Sequence, residues 1–242
     1  MDVNKSFRFV FDDKLWLSKL LIGVLMSVLS FLILPLFILQ GYLVKIIRRV
    51  MAGNDSELPE WTDWGKLLAD GFFVTIGQFI WTLPFILVFI IGGVATGALG
   101  SLADRGSDMA AAGAMGGGLL LACLGLLFAI AFLFLTPALM IQYAIKDEFG
   151  AMFRVGEVID IIRSHTADIL IAFLVTLVAG LAISVVITVL AIIPCLGWIA
   201  AFLIGMATVP YINYVTGHLY GQIARKVTGG KTPVYEKGPD LV

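Results

Sequence analysis

Four long apolar runs alternate with short polar stretches along the chain: Phe72 to Leu99, Leu119 to Ile145, Ile169 to Ile193 and Ile199 to Ile223. None contains Asp, Glu, Lys or Arg. Each is long enough for a membrane-crossing helix, which needs ~20 mostly apolar residues. Pro194-Cys195-Leu196-Gly197 reads as a tight turn joining the last two runs into a helical hairpin. Ala110 to Gly118 reads as a flexible Ala/Gly-rich turn between the middle two.

The first apolar run, Leu15 to Leu39, contains Pro35 and admits two readings, a single span or a chain that turns back near the proline. If it turns back, fifteen of the sixteen Lys and Arg residues share one side, leaving only Arg105 opposite. If it is a single span, five of the sixteen lie outside. The positive-inside rule favours turning back, with both termini cytoplasmic. Pro35 to Arg48 would rise only about 21 Å as a helix, short of a ~30 Å hydrocarbon core. The expectation is therefore a short or re-entrant hairpin. No small-residue cleavage pattern follows it, so it is expected to act as an uncleaved signal-anchor.

Composition strengthens this reading. The chain has 242 residues, 60% hydrophobic and 14% charged, with a mean hydropathy of +1.01. Soluble domains are about 45–50% apolar and ~25% charged. The predicted fold class is an all-α integral membrane protein, a bundle of about six membrane segments with interfacial amphipathic helices. One membrane domain is expected over residues 1–242. Its polar parts are an interfacial N-terminus (1–14), a cytoplasmic basic and acidic Trp-containing loop (40–70), an amphipathic helix (146–168) and a cytoplasmic tail (225–242). The net charge of −1 gives no general attraction to nucleic acid. The bilayer is the expected partner, with other membrane proteins or a second copy of the chain as further candidates. With only Cys123 and Cys195, no disulfide framework is expected.

Three stretches have the pattern of membrane-surface helices. Phe7 to Phe11 alternates aromatics around Arg8, with Trp16 following. Leu43, Ile46, Ile47 and Val50 share one face, away from Lys45, Arg48 and Arg49. Met152, Val155, Ile159 and Ile162 form a stripe opposite Arg154, Glu157, Asp160 and Arg163. Between the second stretch and the next span, Gly53 reads as a helix stop and Leu58-Pro59 as extended backbone. Trp61 and Trp64 then read as headgroup-level anchors. Trp16, Arg48, Arg49, Trp61, Trp64, Arg154 and Arg163 are thus the expected interface residues.

Gly41-Tyr42-Leu43, Arg48-Arg49, Leu58-Pro59-Glu60-Trp61, Asp63-Trp64-Gly65 and Asp70-Gly71 together resemble an uncharacterised prokaryotic membrane-protein family, domain-of-unknown-function family 4013. Asp13 with Trp16, and Phe149-Gly150-Ala151 to Phe153, are similar too. The resemblance implies a polytopic membrane protein and carries no activity, cofactor or catalytic residue. A fainter internal echo relates Gly41, Leu43, Ile47, Arg49 and Gly53 to Gly217, Leu219, Ile223, Arg225 and Gly229. It reads either as a duplicated hairpin or as the common needs of two basic helix ends.

Candidate chemistry is sparse. Asp55, Glu57, Glu60 and Asp63 cluster without the spacing of a calcium loop. His165 and His218 lack metal-binding companions, and no Gly-x-Ser-x-Gly elbow is present. No metal, cofactor or catalytic site is predicted. The uncharged polar residues of the spans, among them Gln78, Thr82, Gln142, Ser184, Thr188, Thr208, Asn213 and Thr216, are expected to bond between helices. Gly93-x3-Gly97, Gly180-x3-Ser184, Gly217-x3-Gly221 and the Gly197, Ala201, Gly205 ladder suit close helix approach. Gln142, Pro210, Asn213, Tyr214, Gly217 and His218 are the residues expected to serve either a substrate or helix packing. The leading functional expectation is a non-enzymatic membrane protein that packs with membrane partners or lipids. A small transporter or channel for an uncharged or lipid-like solute is the alternative. A membrane-bound enzyme would need the acidic loop, Arg163 and His165 to converge.

Overall fold

The computed structural model describes residues 1–230, so the expected tail lies outside the described residues from position 231 onward. Seven α-helices make up the described chain: α1 (Val3–Asp12), α2 (Trp16–Val28), α3 (Leu34–Met51), α4 (Trp64–Ala103), α5 (Asp108–Lys146), α6 (Val155–Ala191) and α7 (Leu196–Val227). Short 3-10 turns cover Leu29–Leu32 and Phe149–Phe153, and no strand occurs among the described residues. The fold is all-α, and α4 to α7 are each long and apolar enough to cross a membrane. At 1.5 Å per residue the 40-residue α4 measures about 60 Å. A ~30 Å core therefore holds only part of it, or holds it tilted.

Two compact units are distinguished: residues 1–77 with 137–230, and residues 78–136. In the second, the distal part of α4 and the proximal part of α5 form an antiparallel hairpin. Glycine lets the helices close: Gly92 faces Leu121, Gly117 faces Thr96 and Gly125 faces Phe89. Phe85 stacks on Phe128, with centroids 4.1 Å apart. The turn lies at Asp104–Gly106, where Gly106 takes a left-handed φ of 92°. The expected flexible turn over Ala110 to Gly118 is instead the first turns of α5. Alanine favours helix, Ser107 Oγ accepts the Ala110 N–H, and Asp108 lies in the first turn, where the helix dipole favours an anion.

The first unit begins with the proline-broken segment. The chain reverses at Ile33 (φ 68°), Pro35 starts α3, and α3 packs back on α2. The turned-back reading of the first apolar run therefore describes this segment. α2 has 13 residues with a 4-residue 3-10 extension, and α3 has 18. Neither is long enough to clear a bilayer comfortably alone. Proline at the second helical position leaves no helical hydrogen bond unmade.

α3 runs antiparallel to the base of α4 and parallel to α7. Gly41 lies against the Leu67 backbone and Gly71 against that of Phe37. Gly217 accepts Leu43 and Ile46, and Gly221 accepts Val50 and Ile47. α6 and α7 form the expected hairpin, closed by a turn at Pro194 and Cys195, with Gly197 against Leu190.

Two of the three expected surface helices differ from expectation. Leu43, Ile46, Ile47 and Val50 are buried between α3 and its neighbours, because α7 rather than lipid covers that face. In the third stretch Met152 belongs to a buried 3-10 turn. Val158 and Ile161 point inward while Val155 and Ile159 point out. His165, at φ −127° and ψ 24°, breaks α6 after this amphipathic part. The hydroxyls of the spans also behave differently from expectation. Thr82, Thr188, Thr208 and Thr216 bond to carbonyls four residues back in their own helices, and Ser184 bonds three back. That local partner is always within reach, so no second helix is required.

Replacing Gly41 or Gly71 by Ala is expected to lower stability by about 1–3 kcal/mol, since the new methyl meets backbone that cannot rotate away. Gly65→Ala, which faces open space, should leave the melting temperature in detergent unchanged. Equal melting of all three variants would refute the close approach of α3 and α4.

Candidate functional site

The candidate site is a set of polar clusters inside the first unit. Lys19 lies near the start of α2, where the chain turns 98° from α1. It is only 5% exposed. Its ammonium donates to Asp13 Oδ2 at 2.7 Å and to the Leu58 carbonyl at 2.8 Å, and pairs with Glu60 Oε1 at 2.7 Å. A buried charge persists only when paired and fully hydrogen-bonded, and here all three ammonium donors are used. Asp13 also accepts the N–H groups of Leu15 and Leu58. The Lys19 carbonyl accepts both Trp61 Nε1–H and the Tyr214 hydroxyl, each at 3.1 Å.

Residues 58–61 thus form an extended strap across the helices. Pro59 contributes its carbonyl to the Tyr42 hydroxyl at 2.7 Å. The Trp61 indole stacks on Tyr42 with centroids 3.8 Å apart and planes 4° apart. Trp61 is therefore turned into the protein, at 7% exposure. Its N–H finds a carbonyl there, which is what a buried indole needs. Trp64, stacked behind it at 5.7 Å, remains exposed.

A second cluster joins α3, α4 and α5. Arg48 is also turned inward, with 11% of its side chain exposed. Its guanidinium reaches Asp70 Oδ2 at 2.5 Å, Asp147 Oδ1 at 2.6 Å and the Ala144 carbonyl at 3.3 Å. Tyr143 donates to Asp70 Oδ1 at 2.8 Å, and its ring lies 5.4 Å from the Arg48 carbon. Lys66 adds a second cation to Asp147 at 3.2 Å. The planar fork of the guanidinium directs its separate N–H groups to two carboxylates and a carbonyl that lie in different directions. Arg49 is partly buried and faces Glu57 at 4.0 Å.

A third cluster fixes α1 on α7. Gln222 donates to the Asp2 carbonyl and accepts the Asp2 N–H. His218 Nδ1 lies 2.8 Å from Ser6 Oγ and 3.0 Å from Gln222 Nε2. Because the amide nitrogen only donates, Nδ1 acts as acceptor and Nε2 carries the hydrogen. Nε2 is buried without a partner. Phe9 tilts over the imidazole at 4.6 Å. Ser6 and His218 are both fully buried, so their proximity gives a substrate no access. Lys5 pairs with Asp55 at 2.8 Å and ties α1 to the 52–63 segment.

The residues expected to serve substrate or packing mostly pack. Pro210 and Tyr214 close on Gly23, and Gly217 closes on α3. Gln142 donates to Glu157 at 2.5 Å, a bond between elements, while Tyr214 heads for Lys19. Asn213 is half-buried. Trp16 is half-buried with its ring edge against Phe11 at 5.2 Å. Arg154 is exposed and bonds Glu148, and Arg163 is exposed. The loop carboxylates Asp55 and Glu60 and the half-buried Asp168 are engaged by Lys5, Lys19 and Lys226, so the acidic loop and His165 occupy different clusters. Sequence reasoning gave no site role to Ser6, Asp13, Lys19, Asp70, Tyr143 and Asp147, although Asp13 and Asp70 belong to the motifs that carry the family resemblance. For Lys19 the available signal was a charge set within apolar surroundings, near Leu17 and Leu20.

The model of the family described as Protein of unknown function (DUF4013) matches residues 27–195, and the chain belongs to this family. A protein of Methanocaldococcus jannaschii, Uncharacterized protein MJ1189, is 34% identical over 86 residues. That stretch is 34% of this chain and 29% of the relative, so the chain spans under a third of the length of the curated relative it matches. No solved structure matches.

Arg48→Met leaves the buried Asp70 carboxylate without its cation, while Asp147 keeps Lys66, and should cost about 3–5 kcal/mol in a detergent unfolding titration. Arg48→Lys should recover only part, because one ammonium lacks the fork. An unaltered Arg48→Met midpoint would refute the cluster's role. Asp55 gives an acid-side prediction. Burial raises its carboxyl, but the hydrogen bond and charge of Lys5 outweigh this and hold it below the ordinary 3.8. The tie is therefore intact above the ordinary value and lost as pH falls through the lowered one. In a carbon-detected NMR titration, Lys5→Met should move the Asp55 midpoint upward.

Proposed function

We propose, taking membership of this family as the premise, that the protein is a non-enzymatic, multi-pass component of the cell membrane. In this reading it packs against lipids and other membrane proteins, with both termini in the cytoplasm. The observation that carries the reading is the outer surface of the long helices. Val94 of α4 is 70% exposed, Leu119 of α5 68%, Val178 of α6 61% and Phe202 of α7 65%, each among similarly exposed apolar neighbours. A surface of this kind is stable only against hydrocarbon or another apolar face.

The inner polar residues support packing over transport. A solute path for an uncharged molecule would need free donors and acceptors along it. Gln142 and Tyr214 are engaged with Glu157 and Lys19, and Thr82, Thr188, Thr208 and Thr216 with their own helices, while Thr75 Oγ1 and Gln78 Nε2 of α4 are buried without a partner. Orientation rests on the distribution of Lys and Arg, with Arg105 alone at the α4–α5 turn.

Cysteine accessibility tests both parts, in a background carrying Cys123→Ala and Cys195→Ala. With a membrane-impermeant maleimide, the Ser107→Cys variant should label on intact cells. The Asn4→Cys variant should label only once the cytoplasmic side is opened. The Asn213→Cys variant should stay unlabelled from both sides. Labelling at position 4 on intact cells would overturn the orientation, and rapid labelling at position 213 would favour a water-filled path over a packed bundle.

A further inference from the structure

α1 and α7 lie side by side in opposite directions: Asp2 meets Gln222, Ser6 meets His218 and Phe11 meets Tyr211. At the end of α1 the chain bends by 98° into α2 and its 3-10 extension. α2 therefore runs across α7 rather than along it. Two of its residues, one helical turn apart, meet the same side chain: the Lys19 carbonyl accepts the Tyr214 hydroxyl, and Gly23 faces Tyr214 and Pro210. The reversal at Ile33 then sends α3 back parallel to α7.

The exposed surface changes character at the same bend. On α1 the outward positions Asn4, Arg8 and Asp12 are polar, and Lys14 of the junction is exposed as well. On α2 the outward positions Leu17, Leu21, Leu25 and Val28 are apolar, and share one face of the helix. Ser18 is the one polar residue among the exposed positions of α2. Lys19 lies on the opposite face, with its ammonium taken up by Asp13, Glu60 and the Leu58 carbonyl. From Leu20 to Val44 the chain contains no Asp, Glu, Lys or Arg.

We infer that α2 lies in the plane of the bilayer, its outer face seated among the acyl chains of the leaflet on the side that holds both termini. The inference rests on the membrane reading above and adds which helix meets one leaflet alone, and how. Direction is the first support. α6 and α7 follow the membrane normal to within the ordinary ~20° tilt of a span, so a helix transverse to α7 does not cross. Polarity is the second. The step from the polar stripe of α1 to the apolar face of α2 sets the border of water and hydrocarbon at their junction. An interfacial helix ordinarily keeps a polar face toward water. In α2 that face is covered by the 58–61 strap, whose Glu60 is more than half exposed. The third support selects lipid over another helix. Close helix contacts in this unit pass over glycine, at Gly23, Gly41, Gly217 and Gly221. The outer face of α2 has no glycine or alanine, and Ser18 is followed one turn later by Ile22. Fluid acyl chains fit around such branched side chains without a small-residue seam.

The test is electron paramagnetic resonance of nitroxide labels on the full chain in phosphatidylcholine–phosphatidylglycerol vesicles, in the Cys123→Ala and Cys195→Ala background. Oxygen, which concentrates in hydrocarbon, and a water-soluble nickel chelate together report the depth of each label. One series is Leu17→Cys, Leu21→Cys, Leu25→Cys and Val28→Cys; the other is Leu170→Cys, Leu177→Cys and Leu181→Cys on α6, also at exposed positions. Leu17 to Val28 and Leu170 to Leu181 each cover about 16 Å of helix. Depth should rise along the α6 series by most of that length. Along α2 it should change by less than half as much, with oxygen access at all four positions. Asp12→Cys should favour nickel. Depth rising as steeply along α2 as along α6 overturns the in-plane placement. Exclusion of both reagents from the α2 labels means that protein, a second copy included, covers the face and overturns lipid as its occupant. Nickel access at all four does the same in favour of water. Absence of oxygen access along α6 would sink the bilayer reading itself, a separately observable result.

Discussion

The ammonium of Lys19 is the constraint around which the first unit is arranged. A lone charge at 5% exposure would cost several kcal/mol. It is tolerated because two elements bring it partners: the α1–α2 junction supplies Asp13, and the 58–61 strap supplies Glu60 and the Leu58 carbonyl, while Tyr42 of α3 donates to the Pro59 carbonyl of that strap and Tyr214 of α7 donates to the Lys19 carbonyl. Each of those elements is thereby fixed in register with the others. A pair of this kind adds less to net stability than to uniqueness of arrangement. Hydrophobic residues of equal volume would pack as tightly but would let the strap slide. The stacked Tyr42 and Trp61 rings add contact area that the charge alone does not provide.

The parallel pair α3 and α7 is organised the same way at its other end. Both helices finish with one pattern of hydrogen bonds. Ala52, Gly53 and Asn54 donate to Arg48, Val50 and Arg49, while Thr228, Gly229 and Gly230 donate to Ala224, Lys226 and Arg225. Gly53 and Gly229 both take positive φ, at 93° and 63°. This is the glycine-terminated helix end, with basic residues where the dipole is negative. It accounts for the shared Arg and Gly of the internal echo. The shared Gly41 and Gly217 have a different cause: each lets a neighbouring helix come close, α4 in one case and α3 in the other. Local capping and local contact suffice for the similarity.

The apolar runs and the Pro194 and Pro35 reversals were legible because they depend on length and on residues with a fixed backbone preference. The start of α5 was not, since glycine and alanine together are compatible with either a turn or a helix, and the decision fell to Asp108 and Ser107 nearby. The inward turn of Arg48 and Trp61 was also hidden. Amphipathic periodicity identifies which residues share a face, but lipid and a partner helix look alike to an apolar stripe. Asp70, which captures Arg48, is 22 residues further on, and Asp147 is 99 further on. Pairings at that separation leave no local pattern.

A division of labour between the two kinds of segment follows. Where the chain is surrounded by apolar groups, threonine and serine bond back to their own helices, and contact between helices is left to shape. Where the helices end, ion pairs and backbone carbonyls specify which element lies beside which. The residues that carry the family resemblance fall in the second class. Tyr42, Leu58, Pro59, Glu60 and Trp61 build the strap around Lys19, Arg48 and Asp70 build the pair across α3 and α4, and Gly41 and Gly71 allow that approach. Among these motif residues most buried polar groups are answered from within the same chain, Arg49 Nε being an exception. Those residues mark how the chain is assembled.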